Sequence, residues 1–282
     1  MELPMRLFLI TACPSMASFA IAHNVDRIFV DLEIIGKAER QGHLDTVISQ
    51  HSIDDIATVK AAIGKATLMV RVNPVHPNSS NEINAAISAG ADILMLPMFR
   101  SLEEVVSFAA MVNRRASICL LVETVDAVRI LQECIAVPGV DEVHIGLNDL
   151  SLDMGLTFMF EPLFNGQVAA MAKILRDASI PFGIGGIARV GEGMLPAELI
   201  LSEHARLGSS AAILSRTFHR QARSVEEMES NMDFGFEINQ LRIAYAKSVK
   251  SSIFDLEQNH IKSAGIVSNI VALLREKNKE TL

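Results

Sequence analysis

Glu123 in ICLLVET and Asp149 in VHIGLNDLS each follow a short apolar run, and two acids so placed could hold a hard divalent cation. Ile118, Leu120, Leu121 and Val122 precede the first, Val143 and Ile145 the second. Both runs read as buried parallel strands, which deliver their carboxylates where barrel strands hand over to loops. Side by side without a cation, two carboxylates repel or force one to stay protonated, and a divalent ion removes that cost. With no cysteine cluster nearby, the donors favour Mg²⁺ or Mn²⁺ over zinc. The competing reading is that Glu-Thr and Asn-Asp-Leu-Ser cap the helices that follow.

Other polar residues fall at comparable positions. Arg71 ends the apolar run TLMVR, and its planar fork suits a carboxylate or a developing enolate oxygen; an ion pair with an acid such as Glu33 would serve structure instead. Asp31 and Glu33 close FVDLE, and the loop beyond them carries Lys37, Arg40 and His43, which could recognise or protonate a substrate or simply be solvated. Pro97 and Met98 after the fourth run, and Gly146, Leu147 and Asn148 before Asp149, complete the candidate lining. Phe182 to Gly193 has five glycines around Arg189, in the region where barrels build anion sites from backbone amides, with Ser215 and Arg216 as candidate helpers; a tight structural turn is the rival. Its GxGxxA spacing lacks the strand-end acid of a dinucleotide site. His144, inside a strand, reads as a core histidine.

Eight apolar runs, RLFLIT, DRIFVDL, ATLMVRV, ADILMLP, SICLLVE, DEVHIGL, IPFGIG and AAILSR, alternate with helical patterns. These include Ser52 to Ile63, Asn81 to Ala89, Leu102 to Asn113, Val125 to Ala136, Gly166 to Ala178 and Ala197 to Leu207. Alternation implies a parallel sheet, and eight units are the count of a (β/α)8 TIM barrel, an α/β fold; a doubly wound open sheet stays possible. AGAD (89–92) and PGVD (138–141) look like turns at the opposite end of the barrel. We read 1–223 as the barrel. Residues 224–282, with helical stretches Val225 to Val249 and Ile253 to Lys277, read as a final helix plus an extension that packs on another copy of the chain.

With 282 residues, half of them hydrophobic, the chain can bury a large core. A formal net charge of -8 and no long basic run argue against nucleic acid or an anionic membrane as partner. Three cysteines without CxxC spacing fit reduced, buried thiols in the cytoplasm. The apolar stretch within LFLITAC after Arg6 is only about six residues, below a signal-peptide core of roughly 7 to 15, so Arg6 to Thr11 reads as the first strand.

Taken in order from about Leu7 to Phe218, these pieces resemble the HpcH/HpaI aldolase and citrate lyase beta-subunit family, metal-dependent enzymes on a phosphoenolpyruvate/pyruvate-type TIM barrel. The resemblance implies that LVETVDAV and IGLNDLS bring the metal ligands Glu123 and Asp149, for Mg²⁺ or else Mn²⁺ or Co²⁺. It implies that Arg71 binds the pyruvyl unit and steadies its enolate, that Asp31 touches the metal's water shell, and that LMLPM lines the site. The activity implied is a class II type aldolase making or breaking 4-hydroxy-2-oxo acids. Alternatives are a CoA-ester lyase or thioesterase of the citrate lyase or malyl-CoA type, and a non-catalytic oxo-acid-binding barrel. Ile34 and Ile35 stand where pyruvate aldolases carry a histidine, Leu121 where a glutamine is usual, and Ile34 again where the citrate-lyase branch continues with Asp. The general base is therefore unassigned. No lysine ends a strand, which favours a metal over a Schiff base.

Overall fold

Each of the eight apolar runs forms a strand, because runs of four to six Val, Ile, Leu and Met residues bounded by Gly, Pro or Asp are too short for helices. A computed structural model describes residues 5–37 and 51–280. Its strands are β1 (Arg6–Ile10), β2 (Arg27–Asp31), β3 (Thr67–Arg71), β4 (Ile93–Leu96), β5 (Ser117–Val122) and β6 (Val140–Ile145). The seventh run is divided into β7 (Phe182–Ile184) and β8 (Gly186–Ile187), and β9 (Ala211–Leu214) follows. Neighbours pair in parallel, in the order β7-β6-β5-β4-β3-β2-β1-β9-β8.

That order settles the choice between barrel and open sheet. β7 and β8 are one run broken at Gly185, whose φ of 53° is the left-handed region that glycine tolerates. β7 pairs with β6, β8 pairs with β9, and the Ser210 N–H donates to the Phe182 carbonyl at 3.2 Å. The sheet thus closes through its seventh run into a TIM-barrel-like fold. Gly183 is dictated by packing, since a Cβ there would lie 2.5 Å from His144 Nδ1 and 2.8 Å from the Ala211 carbonyl.

The helices match the 3.6-residue patterns. Between the strands run α1 (Pro14–Ala22), α2 (Ile53–Ile63), α3 (Ser79–Ser88), α4 (Leu102–Val112), α5 (Val125–Arg129), α6 (Leu131–Ile135), α7 (Leu147–Asp153), α8 (Glu161–Phe164), α9 (Gln167–Asp177) and α10 (Ala197–Leu207). The predicted helix from Val125 to Ala136 is broken at Ile130 into two short pieces. Val225 to Val249 is likewise two helices, α11 (Val225–Asn231) and α12 (Phe234–Val249). Met232 is extended there and the Asp233 side chain starts a new helix by accepting the Phe236 N–H.

Two apolar layers result. Phe8, Phe29, Met69, Ile93, Met95, Cys119 and Leu121 fill the barrel, while the outer strand faces pack against the helices. Each such buried side chain contributes about 1.5 to 3 kcal/mol of transfer free energy. At the N-terminal end of the barrel Glu142 is paired with both Arg6 and Arg27. His144 is a core histidine, bonded through Nε2 to the Gly185 carbonyl and depressed by burial to a pKa of about 4. Cys119 and Cys134 are buried free thiols, but Cys13 heads α1 half-exposed, which corrects the expectation of three buried ones.

α12 packs on α10 and ties down through the Tyr245 hydroxyl, which donates to the Ser209 carbonyl at 3.0 Å. The long α13 (Ile253–Glu280) also lies on α10, where buried Glu203 pairs with Arg206 and His260. Val267, Ile270 and Val271 of this helix are buried, whereas Ile253, Phe254, Ile261 and Leu273 are exposed. Among the described residues no helix is long and apolar enough to cross a membrane.

Candidate active site

Strand register assembles the site. Asp31 and Arg71 are aligned partners at the ends of β2 and β3, so the carboxylate and the guanidinium arrive side by side. Arg71 donates through Nε and Nη2 to the two oxygens of Asp31, both at 2.8 Å, and its Nη1 lies 3.2 Å from Glu33. Lys37 folds back from the loop so that its Nζ donates to Asp31 at 2.7 Å and sits 3.8 Å from Glu33. The sequence puts no lysine at a strand end, yet the fold brings one in, buried to 4% exposure.

Burial alone would raise the pKa of Asp31, but the charge and hydrogen bonds of Arg71, and then Lys37, hold it far below the ordinary carboxylate range. Burial would lower that of Arg71, and Asp31 together with Glu33 and Glu123 drives it up instead. An acid held this way makes a poor base; its bonds fix the plane of Arg71.

Glu123, 2% exposed, leaves β5 directly across from Gly146, the residue after β6. The Met98 N–H donates to Glu123 Oε1 at 3.1 Å, from a left-handed backbone with φ of 53° that is unusual for a side chain of this size. Glu123 Oε2 lies 2.9 Å from where a Gly146 Cβ would sit, so the close approach requires glycine. Asp149 is in the first turn of α7 and buried. Burial pushes the Glu123 carboxyl well up; Arg71 opposes this, and the charges of Asp149 and Glu33 add to it.

The donor set fits a hard divalent cation by its charge. Asp31, Glu33, Arg71 and Lys37 pair among themselves, and Glu123 and Asp149 are two further buried acids of which the second raises the carboxyl of the first. Among the described residues no group of three or more His, Cys, Asp or Glu side chains is arranged to hold a metal, so from these residues an ion would take the two carboxylates, with water or substrate oxygens able to fill further positions.

The other candidates divide. Pro97 and Leu147 are buried, Met98, Gly146 and Asn148 partly so, at the same ends of β4 and β6. Arg189 forks onto Glu192 at 2.6 and 3.2 Å, and Arg220 approaches the same acid. The glycine-rich segment serves closure of the barrel and a close contact of Gly185 with Leu147. Arg40 and His43 lie outside the described residues. One neighbour escaped the sequence reading: His51, which accepts the Asp31 backbone N–H at 3.0 Å. Its signal was the Ser52–Asp55 capping box, which starts α2 on this same face of the barrel.

A sequence profile of the HpcH/HpaI aldolase/citrate lyase family matches residues 5–184. No curated protein matches the sequence. Among solved structures, the HpcH/HpaI aldolase from Desulfitobacterium hafniense DCB-2 has 17% identity and a TM-score of 0.58 over 75% of this chain and 86% of that one. An HpcH/HpaI aldolase/citrate lyase family protein from Burkholderia cenocepacia J2315 has 17% identity and a TM-score of 0.60 over 81% and 95%. Citrate synthase SbnG has 15% identity and a TM-score of 0.60 over 81% and 93%. These structures share the fold, and the profile spans well over half of the sequence: the chain belongs to the HpcH/HpaI aldolase/citrate lyase family, whose members are enzymes of lyase and synthase type.

Proposed function

We propose that this protein is a divalent-metal-dependent carbon–carbon lyase of the class II aldolase type, acting on 4-hydroxy-2-oxo acids through a pyruvate enolate. The observation that carries the reading is the meeting of two buried carboxyl groups, Glu123 and Asp149, beside Arg71, close enough that the charge of Asp149 raises the Glu123 carboxyl while that of Arg71 opposes it. Glu123 and Asp149 would hold Mg²⁺, or else Mn²⁺ or Co²⁺. Once bound, such an ion supplies Lewis-acid stabilisation of charge on the oxo oxygen.

The chain's own residues do the rest. A guanidinium has five N–H groups, and Arg71 commits three of them to Asp31 and Glu33. Two remain to bind the carboxylate or 2-oxo oxygen of the substrate, in a plane fixed by Asp31. Burial of this cluster strengthens each of those contacts, since fixed donors in a water-poor site need no reorganisation as negative charge develops. Met98 and Pro97 line the pyruvyl unit, with Gly146, Leu147 and Asn148 opposite.

A second reading, cleavage of a CoA ester, is favoured by the Asp31-Leu32-Glu33 motif, which is nearer the citrate-lyase branch. Assaying purified protein with Mg²⁺ against 4-hydroxy-2-oxo acids and against malyl- and citramalyl-CoA decides between them. The aldolase reading expects pyruvate release from the first group; turnover of the CoA esters alone overturns it. We further propose a cytoplasmic homo-oligomer, a dimer, trimer or hexamer. The exposed Ile253, Phe254, Ile261 and Leu273 on α13 support assembly through the C-terminal helices.

A further inference from the structure

An aldol reaction has two charged moments, the enolate of one partner and the alkoxide of the other. Arg71 and the acid pair answer the first. The second needs a donor near the mouth of the same site, and His51 has the chemistry for it.

At the end of β2 the Asp31 backbone N–H donates to His51 Nδ1 at 3.0 Å. A ring nitrogen that accepts from a backbone amide carries no proton, so the neutral imidazole has its hydrogen on Nε2. Protonating Nδ1 would turn it against that amide. The ring is thus fixed as a neutral donor, with the Asp31 amide on one edge and Nε2–H on the other. Its place is independently marked by Lys37, whose ammonium bonds the Asp31 carboxylate and lies close enough to act on the His51 charge. Among the described residues the charged groups that act on the ring are Asp31, Asp55 and Lys37. Burial, then Lys37, outweighs the two acids and lowers the pKa of His51, in keeping with a neutral ring. Among the described residues Nε2 has no hydrogen-bond partner.

We infer that His51 is a catalytic residue of this site, a fixed neutral N–H donor to the carbonyl oxygen of the electrophile that the enolate attacks. The inference rests on the enolate reading above. In the forward direction the enolate carbon forms a bond to the carbonyl carbon, and the carbonyl π pair moves onto oxygen. Nε2–H stabilises that alkoxide by a hydrogen bond, without transferring its proton. The alkoxide then takes a proton from water, which balances the one lost earlier from the pyruvate methyl group. Cleavage runs the same steps backwards.

This division predicts a split that a structural role would not give. Exchange of pyruvate methyl protons in heavy water, followed by proton NMR with Mg²⁺ present, reads the enolate step alone. Cleavage of 4-hydroxy-2-oxopentanoate reads both. His51→Ala is expected to lower kcat for cleavage by about 10² to 10³, the usual loss for one oxyanion donor, while methyl exchange falls by far less. His51→Gln, which keeps a side-chain N–H, should recover part of the loss. Exchange and cleavage falling together, or neither changing, overturns the assignment. Absence of exchange in the wild-type protein overturns the enolate reading itself and this one with it. Should the variants fail to fold, ¹⁵N NMR of wild-type His51 decides: Nδ1 bare and Nε2 protonated is the expected state, and a protonated Nδ1 contradicts it.

Discussion

Asp31 and Arg71 end adjacent strands in exact register and meet through two parallel hydrogen bonds of 2.8 Å each. The pair is nearly inaccessible to water, with side-chain exposures of 3% and 14%. Removing one partner of a buried pair strands the other charge. Asp31→Asn should therefore cost about 3 to 5 kcal/mol of stability, measured by denaturant unfolding. Because the folded-state pKa of Asp31 is depressed, its contribution is present above the unfolded value of about 3.9 and lost as pH falls below it. The stability gap between wild type and Asp31→Asn should accordingly be full at pH 7 and narrow in acid.

Glu123 has the opposite sign. Its carboxyl is raised by burial and by neighbouring acids, so ionising it in the folded protein costs stability as pH rises above its unfolded value of about 4.3. A divalent cation offsets that cost and binds only the folded state. Mg²⁺ should raise Tm more at pH 8 than at pH 5, in a thermal melt with and without EDTA. Equal shifts at both pH values would place the ion elsewhere.

Gly146 faces Glu123 with no room for a methyl group: the added Cβ would lie 2.9 Å from both Cβ and Oε2 of Glu123. Gly146→Ala should move the carboxylate and lower kcat/KM by about 10² in steady-state cleavage of a 4-hydroxy-2-oxo acid, because displacements of about 1 Å at a reacting site cost that much. A variant with wild-type kcat/KM would show that the position of Glu123 is not critical.

The barrel and the strand-end acids were legible in the sequence because both depend on local pattern. Eight apolar runs give eight strand positions, strand ends give Asp31, Arg71 and Glu123, and the turn after the sixth run gives Asp149. What escaped depends on contacts between distant segments. The break at Gly185 that closes the sheet, the return of Lys37 onto Asp31, and His51 against the Asp31 amide are set by tertiary packing. The pairing of Arg189 with Glu192 is local, three residues apart, yet charge spacing alone does not separate it from an anion contact. His51 lies between β2 and α2 in sequence but reaches the site only through its bond with the Asp31 amide, a bond that no local pattern announces.

The central claim is that Glu123 and Asp149 hold the divalent ion that permits enolate formation. Exchange of pyruvate methyl protons in heavy water, measured for wild type and Glu123→Gln with Mg²⁺ and with EDTA, tests it most directly. The account predicts exchange in the wild type with Mg²⁺, none with EDTA, and none in Glu123→Gln under either condition. Metal-dependent exchange in Glu123→Gln at the wild-type rate would contradict it.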